Sequence, residues 1–337
     1  MSPSQSVADL GEHGLIARLR KRVPPPPPSV ALGIGDDAAV VAPERGEQMV
    51  LTTDSLVEDV HFRRALTPLD AVGYKALAVN LSDLAAMGAA SRAALLNLAL
   101  PETLLVSEFD ALIDGFLTLA EATRTPLVGG NITRSPGPLV VDVTAIGSVR
   151  ARRVVTRSGG RAGDDLYVTG FVGAAAAGLA VLQSGTARRD LDADVAACVD
   201  RYERPEPRLR AGVIAARSRS VSAGIDLSDG LADGARQIAA ASRVGAIVEA
   251  ADLPVHRGAR AWAVRESVDP LAWALSGGED YELLFAVPKR RRRSFLAASK
   301  RWADLQVTRI GHLTKEPGVW LRRDDRLEPL GAGFVHF

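Results

Sequence analysis

The spacing of apolar positions along the chain predicts strands and helices that follow one another from end to end. Strands are predicted near Val40 and over residues 49–54, 91–100, 139–149, 165–169, 221–226, 246–249, 282–287 and 305–310. Helices are predicted over residues 7–22, 67–87, 107–122 and 173–183. This order of elements favours mixed layers of helix and sheet.

Local signals support the ends of several elements. Thr67 and Pro68 provide a hydroxyl cap and a first-turn proline for one helix, and Gly88 is its predicted stop. Five prolines over residues 24–28 are incompatible with a helix and predict an extended connector. Such a segment also suits partner binding, but a spacer is the favoured interpretation.

The order of elements begins again after Arg150, at a basic, glycine-containing stretch over residues 151–163. With 337 residues, the chain is long enough for two ordinary domains. We therefore expect an N-terminal domain over residues 1–150 and a C-terminal domain over residues 151–337.

Composition excludes several classes of protein. The chain is 47% hydrophobic and 24% charged, which is globular rather than disordered. Its 41 basic and 40 acidic side chains give a formal net charge of +1, so no overall charge attracts nucleic acid or an anionic membrane. One cysteine, Cys198, and five histidines exclude an intramolecular disulfide and argue against a Cys/His zinc site.

Three segments bear on membrane or nucleic-acid partners. The basic run over residues 289–293 has no interleaved aromatic residues, which predicts a solvated helix face. The N-terminus carries Asp9 and Glu12 and lacks the apolar core of a secretory signal. The longest apolar run, over residues 171–182, is too short to span a bilayer. We expect a soluble, cytoplasmic protein with no nucleic-acid or membrane partner.

Acidic residues cluster in four places, three of them in turns or at predicted strand ends. The clusters are Gly35-Asp36-Asp37, Thr52-Thr53-Asp54, Ser82-Asp83 and Asp226-Leu227-Ser228-Asp229. Each alone has a structural explanation as a turn or a cap; Asp229, for example, is placed to cap the helix after Gly230. Asp83 is different, because it lies in an otherwise apolar predicted helix, where an unpaired carboxylate is costly. Together the clusters suit Mg²⁺, which prefers carboxylate and hydroxyl oxygens.

Common phosphate-binding motifs are missing from the sequence. The chain contains no Gly-Lys dipeptide, hence no Walker A motif, and no protein-kinase catalytic signature. Gly129 and Gly130, at a predicted strand end, suit either a close approach of backbone N–H groups to phosphate or a plain turn. Arg157 suits either a phosphate contact or a surface position in a linker.

Eight segments, in order along nearly the whole chain, carry a resemblance to a known family. They are GIGDDAAVV (33–41), LTTDSLVEDVHF (51–62), YKALAVNLSDLAAMGA (74–89), VGGNITR (128–134), VTRSGGRAGDDLYVTG (155–170), GIDLSDGL (224–231), SGGEDYELLF (276–285) and GFVHF (333–337). The sequence resembles bacterial thiamine-monophosphate kinases, of the superfamily that includes aminoimidazole ribonucleotide synthetase. The resemblance implies an α+β and α/β fold, with a mixed-sheet N-terminal domain that dimerises through its sheet and a C-terminal α/β domain.

The resemblance also implies roles for individual residues. Several Mg²⁺ ions would be held by Asp36, Thr52, Thr53, Asp54, Asp83, Asn131, Asp226 and Asp229. ATP would contact Gly130, Asn131, Arg157 and Ser228, and thiamine monophosphate would contact His61, Glu279 and Phe334. Two positions depart from the family: Asn131 stands where Asp is common, and Phe334 where Tyr or Trp is frequent.

The implied reaction is phosphorylation of thiamine monophosphate by ATP to give thiamine diphosphate, in a homodimer. The acceptor phosphate is already largely a dianion at neutral pH, so no general base is expected. Arg157, Asp54 and clustered Mg²⁺ would act electrostatically on direct, in-line transfer without a phosphoenzyme. The alternatives are a ligase-like relative of aminoimidazole ribonucleotide synthetase and a non-catalytic protein that binds Mg-nucleotide.

Overall fold

The computed structural model describes residues 5–34, 38–303 and 305–331. It divides the chain into two compact units, residues 1–84 with 90–151, and residues 85–89 with 152–337. No helix of the described chain is long and apolar enough to cross a membrane.

The first unit combines three helices with two small sheets in its described part. Its elements are α1 (Val7–Arg22), β1 (Val30–Leu32), β2 (Val40–Val41), β3 (Gln48–Val57), α2 (Leu69–Ala86), β4 (Ala90–Pro101), α3 (Val106–Thr123), β5 (Leu127–Ser135) and β6 (Val140–Val149). β1 pairs with β2, and the four-stranded sheet has the order β3-β6-β4-β5, with β4 and β5 parallel.

Alternation of buried and solvent-facing residues defines two faces of the four-stranded sheet. On one face Leu96 and Val143 are buried, and Gly147 lies against the Leu84 side chain of α2. On the other face Leu51 is 64% exposed. Helix α2 therefore covers one face, and each buried Leu or Val contributes about 1.5–3 kcal/mol.

The second unit contains a larger mixed sheet with helices around it. Its elements are β7 (Asp165–Thr169), α4 (Ala174–Gln183), α5 (Ala193–Glu203), α6 (Leu209–Ser218), β8 (Ala223–Asp226), α7 (Leu231–Ser242), β9 (Gly245–Glu249), α8 (Arg257–Glu266), α9 (Pro270–Ser276), β10 (Leu283–Val287), α10 (Arg292–Ser299), β11 (Val307–Thr314), β12 (Val319–Arg323) and β13 (Arg326–Pro329). In the described chain the strand order is β13-β12-β9-β11-β7-β10-β8, with β12 and β9 parallel and the other pairs antiparallel. The neighbouring interior strands β7 and β10 are buried at every position, because helices pack against both of their faces.

The structure confirms the mixed α/β class and the predicted elements, most of them to within two residues at each end. Two local predictions were wrong. The buried Thr67 hydroxyl makes no hydrogen bond among the described residues, so it does not cap α2. Gly129 and Gly130 lie inside β5 rather than at a strand end, because β5 continues beside β4 as far as Ser135. The basic run over residues 289–293 faces solvent as predicted, although Lys289–Arg291 is a 3₁₀ turn and α10 starts only at Arg292.

Candidate functional site

The first unit joins two of the acidic clusters directly. The hydroxyl of Thr52 on β3 donates a hydrogen bond to Oδ2 of Asp83 on α2. Both residues are partly buried, on the sheet face that α2 covers. The predicted cost of a carboxylate in this helix is therefore reduced by a hydroxyl partner, and the pair presents only oxygen atoms.

The Thr52-Thr53-Asp54 segment divides between the two faces of the sheet because it is a continuous strand. Asp54 shares the face of Thr52 and is exposed near the sheet edge. Thr53 lies on the opposite face, where its hydroxyl donates to the carbonyl oxygen of Val143 at 3.1 Å and accepts from Thr144 at 3.2 Å. Within one chain the two threonine hydroxyls therefore lie on opposite faces of the sheet.

A row of polar side chains crosses all four strands on the face opposite α2. The register aligns Ser55, Asp142, Asn97 and Asn131. The Ser55 hydroxyl donates to Oδ2 of Asp142 at 2.6 Å, and the Asn97 amide donates to Oδ1 at 3.2 Å. Both carboxylate oxygens of Asp142 are thus engaged, two strands away from Asn131.

Asp54 and Asn131 are far apart within one chain. β3 and β5 are the opposite edges of the sheet, so three strand spacings, or about 14 Å, separate them. Their side chains also leave opposite faces. A single ion held by both residues would need the second residue to come from another copy of the chain.

Gly130 has a structural reason to be glycine. Its φ is +151°, and a Cβ atom there would lie 1.9 Å from the carbonyl oxygen of Leu96 on β4. The parallel pairing of β4 and β5 therefore requires this glycine. Gly129 is less restricted, because a Cβ there would first meet the Leu95 side chain, at 3.0 Å.

His61 lies in the turn that follows β3. Its Nδ1 accepts the backbone N–H of Val57 at 3.1 Å. In its neutral form the imidazole therefore carries its proton on Nε2. The same hydrogen bond orients the ring within its own turn.

In the second unit, the Asp226-Leu227-Ser228-Asp229 segment forms the turn after β8. Asp226 is the buried last residue of β8, and the Ser228 hydroxyl donates to Asp229 at 3.2 Å. Helix α7 begins at Leu231 with Gly230 as its N-cap and no side-chain cap bond. Asp229 is therefore not the cap of α7, and the interpretation that it serves only as a helix cap was wrong.

The loop over residues 276–282 is fixed to this turn by backbone hydrogen bonds. Glu279 N–H donates to the Ser228 carbonyl at 2.6 Å, and Tyr281 N–H donates to the Leu227 carbonyl at 3.1 Å. Glu279 and Tyr281 both have positive φ, 58° and 50°, which is unusual for non-glycine residues. The candidate ATP turn and the candidate substrate loop are therefore joined by backbone hydrogen bonds.

Two buried acids in the same loop anchor it. Asp280 accepts backbone N–H groups at the start of α4, from Gly173 at 2.6 Å and Ala175 at 3.0 Å. Burial raises the pKa of Asp280 to about 7, against the lowering effect of these hydrogen bonds. The acid therefore titrates near neutral pH at the base of the loop.

The second anchor is a buried ion pair. Arg208 donates to both carboxylate oxygens of Glu282, and the Thr169 hydroxyl donates to the same carboxylate at 2.6 Å. Gly170 faces this carboxylate, which a Cβ atom there would meet at 2.1 Å. The supporting roles of Arg208, Asp280 and Glu282 were not predicted from the sequence. Asp280 and Glu282 stand out there only as two acids immediately before the apolar strand β10.

Arg157 is exposed, and its guanidinium donates to Oε1 of Gln237 on α7. The hydrogen bond holds the side chain against the helix that follows the Ser228 turn. Both interpretations of Arg157, phosphate contact and surface arginine, are compatible with this position.

The candidate Mg²⁺ ligands are divided between the two units. Thr52, Thr53, Asp54, Asp83 and Asn131 belong to the first, and Asp226 and Asp229 to the second. Asp36 and Phe334 lie outside the described residues. Among the described residues, no three His, Cys, Asp or Glu side chains are grouped closely enough to hold a metal ion. The donor atoms themselves fit a hard cation, since all of them are carboxylate, hydroxyl or amide oxygens.

Comparison with known proteins identifies the class. Residues 35–149 match the N-terminal domain, and residues 161–323 the C-terminal domain, of AIR synthase related proteins. The two-domain fold with acid-rich turns is thus that of an AIR synthase related protein.

Full-length relatives narrow this class to one family. The chain is 42% identical to the thiamine-monophosphate kinase of Escherichia coli strain K12, over 97% of this chain and 98% of that protein. It is 38% identical to that of Synechococcus elongatus, over 99% and 98%. The solved structure of AaThiL complexed with AMPPCP and TMP matches with a TM-score of 0.77 at 33% identity, covering 98% of both chains. The chain belongs to the thiamine-monophosphate kinase family and is an enzyme of the transferase class.

Proposed function

We propose that this enzyme transfers the γ-phosphoryl group of ATP to the phosphate of thiamine monophosphate, giving thiamine diphosphate. Family membership supports this substrate pair, as does the related AaThiL complex with AMPPCP and TMP. The observation that carries the proposal is the backbone bond between Glu279 and Ser228. It holds the residue proposed for thiamine beside the residue proposed for ATP.

Mg²⁺, when bound, would neutralise the repulsion between the two polyanionic substrates. Its proposed ligands are the oxygen atoms of Asp36, Thr52, Thr53, Asp54, Asp83, Asn131, Asp226 and Asp229. The Thr52 to Asp83 bond supports this assignment, because it orients a hydroxyl and a carboxylate on one surface.

The remaining roles are binding and electrostatic. Arg157 would contact phosphate oxygens, and Gly130 would contact ATP through its backbone. His61, Glu279 and Phe334 would contact thiamine monophosphate, whose cationic thiazolium suits a carboxylate and an aromatic face. No residue is assigned as a general base, because the acceptor phosphate is already ionised. Transfer would then be direct and in line.

We further propose that the active enzyme is a homodimer formed through the N-terminal sheet. If Asp54 and Asn131 share one ion, the distance of about 14 Å between them in one chain requires a second copy. Two features of the described sheet support this arrangement: β3 and β5 form its edges, and Met49 and Leu51 expose apolar side chains on one face.

The direct test is to incubate the protein with MgATP and thiamine monophosphate and to measure thiamine diphosphate by chromatography. Product formation in proportion to enzyme is expected. Nucleotide binding without turnover would instead indicate a binding protein. ATP turnover only with an aminoimidazole ribonucleotide precursor would indicate a ligase-like relative.

A further inference from the structure

The second unit contains a cavity of about 260 Å³ whose wall carries four arginines, Arg152, Arg153, Arg219 and Arg291. They come from three places in the chain: the 3₁₀ turn after β6, the C-terminal end of α6 and the turn before α10. Val155 and Val221 form apolar parts of the same cavity wall. Separate segments therefore converge on one basic cavity.

None of the residues proposed for the candidate site lines the cavity, although its wall residue Thr156 directly precedes Arg157. The cavity is lined by Val221 and Ser222, which precede β8, whereas Asp226 and Ser228 lie at the other end of that strand. A four-residue strand spans about 13 Å.

The four arginines have no acidic partner within the described chain. Many other arginines pair with carboxylates, for example Arg92 with Glu47 and Arg309 with Asp165. None of the four cavity arginines has a carboxylate within 4 Å among the described residues. Four neighbouring positive charges repel one another, and an anion between them would relieve this repulsion.

A hydrogen bond from one of these arginines to a backbone carbonyl holds two of the cavity segments together. The Arg291 guanidinium donates to the Arg219 carbonyl oxygen at 2.7 Å, which fixes the turn after α6 against the turn before α10. Arg153 and Arg291 are only partly exposed. At the cavity wall, the Ser222 hydroxyl donates to Oδ2 of Asp164 at 2.7 Å, and this carboxylate forms no ion pair with the four arginines among the described residues.

We propose that this cavity binds a small phosphate-type anion, with inorganic diphosphate as its best fit. Guanidinium groups present paired N–H donors that match phosphate oxygens and stay charged at all physiological pH values. The volume lies just below the range of about 300–1,000 Å³ typical of pockets for larger organic ligands, which favours a small anion over a nucleotide.

The test is isothermal titration calorimetry with inorganic diphosphate and inorganic phosphate, in the presence of a chelator to exclude divalent metal. Wild type should bind diphosphate more tightly than phosphate, and the affinity should fall with salt. The double variant Arg153→Gln/Arg291→Gln should weaken diphosphate binding by at least about tenfold, because two charge-assisted contacts are lost. The double variant Arg290→Gln/Arg293→Gln removes the same charge beside the cavity and should bind as wild type does.

The candidate active site is the competing location. Arg157→Gln should leave diphosphate binding unchanged if the cavity is the site. Loss of binding in Arg157→Gln but not in the cavity variant would overturn the proposal, as would wild-type affinity weaker than about 1 mM. If circular dichroism shows that the first cavity variant is unfolded, Arg152→Gln/Arg219→Gln provides the same test. None of these outcomes depends on whether the enzyme phosphorylates thiamine monophosphate.

Discussion

The backbone N–H of Glu279 donates to the carbonyl oxygen of Ser228 at 2.6 Å, so two loops separated by about fifty residues share a hydrogen bond. Glu279 achieves this with a left-handed backbone, at φ 58°. Such a conformation costs of order 1–3 kcal/mol and persists only where surrounding contacts impose it. Arg208, Asp280 and Glu282 supply these contacts, and they provide the first tests.

Arg208→Ala should destabilise the protein by about 3–5 kcal/mol, because it leaves Glu282 buried without a counter-charge. Arg208→Lys should be intermediate, since one ammonium cannot make both hydrogen bonds. Urea denaturation measures both effects. The control is Arg134→Ala, which breaks the exposed pair with Glu102 in the first unit and should change the free energy of unfolding only slightly. Equal losses for Arg208→Ala and Arg134→Ala would contradict the anchoring role.

Asp280 should make stability fall as pH rises from about 4 to about 7. In this window the unfolded carboxyl, with an ordinary pKa of 3.8, has lost its proton, while the native carboxyl keeps it until about 7. The unfolded state thus binds fewer protons, and stability declines by up to about 4 kcal/mol across the window. Asp280→Asn should remove this contribution.

The measurement for Asp280 is the free energy of unfolding from pH 4 to 8, compared between wild type and Asp280→Asn. Asp200→Asn, at an exposed position on α5, is the control and should follow wild type. A difference between wild type and Asp280→Asn that stays constant with pH would exclude the raised pKa.

Gly130→Ala should lower stability by at least about 1–3 kcal/mol, because the new Cβ would overlap the Leu96 carbonyl oxygen. Gly129→Ala is the matched control. Its Cβ meets a flexible side chain, so a smaller loss is expected. Thermal unfolding measures the stability of the two variants. A larger loss of stability for Gly129→Ala than for Gly130→Ala would show that the β4–β5 pairing does not require glycine at position 130.

Asp54→Asn and Asp83→Asn should each lower kcat by about 10²-fold or more, because each removes a proposed metal ligand. Their melting temperatures should stay close to wild type. Asp114→Asn, at an exposed carboxylate on α3, should leave kcat unchanged. Activity of both Asp54→Asn and Asp83→Asn within about threefold of wild type would refute the metal assignment.

Asn131→Asp should lower the Mg²⁺ concentration needed for half-maximal activity. A carboxylate a few ångströms from the ion adds attraction of several kcal/mol even at an effective dielectric of about 20. Within the chain Asp142 lies on β6, two strand spacings or about 10 Å from Asn131 on β5, so it does not place its charge at the same ion.

A Mg²⁺ titration at saturating ATP compares Asn131→Asp with wild type. Asn97→Asp is the control: it adds the same charge one strand away, beside Asp142, and should not lower the Mg²⁺ requirement. An unchanged or higher requirement in Asn131→Asp would mean that this side chain does not face the ion.

The sequence by itself predicted the mixed α/β class, the family and many of the elements, although α5, α6, β5 and β12 were among those it did not predict. Hydrophobic periodicity, helix caps and helix-terminating glycines depend on residues a few positions apart, so the sequence shows them without knowledge of the tertiary structure. The ordered motifs likewise identified the candidate residues around Asp54, Asp83 and Ser228 before any geometry was known.

Only the tertiary structure decided which of these residues meet. The bond from Thr52 to Asp83, the separation of Asp54 from Asn131 by the width of a sheet, and the bond from Glu279 to Ser228 depend on strand register and loop packing. Arg208 and Glu282 are 74 positions apart, and nothing local links them. Glu282 stands directly before β10 and is buried, so water cannot solvate its carboxylate. A cation from a distant loop must therefore compensate its charge.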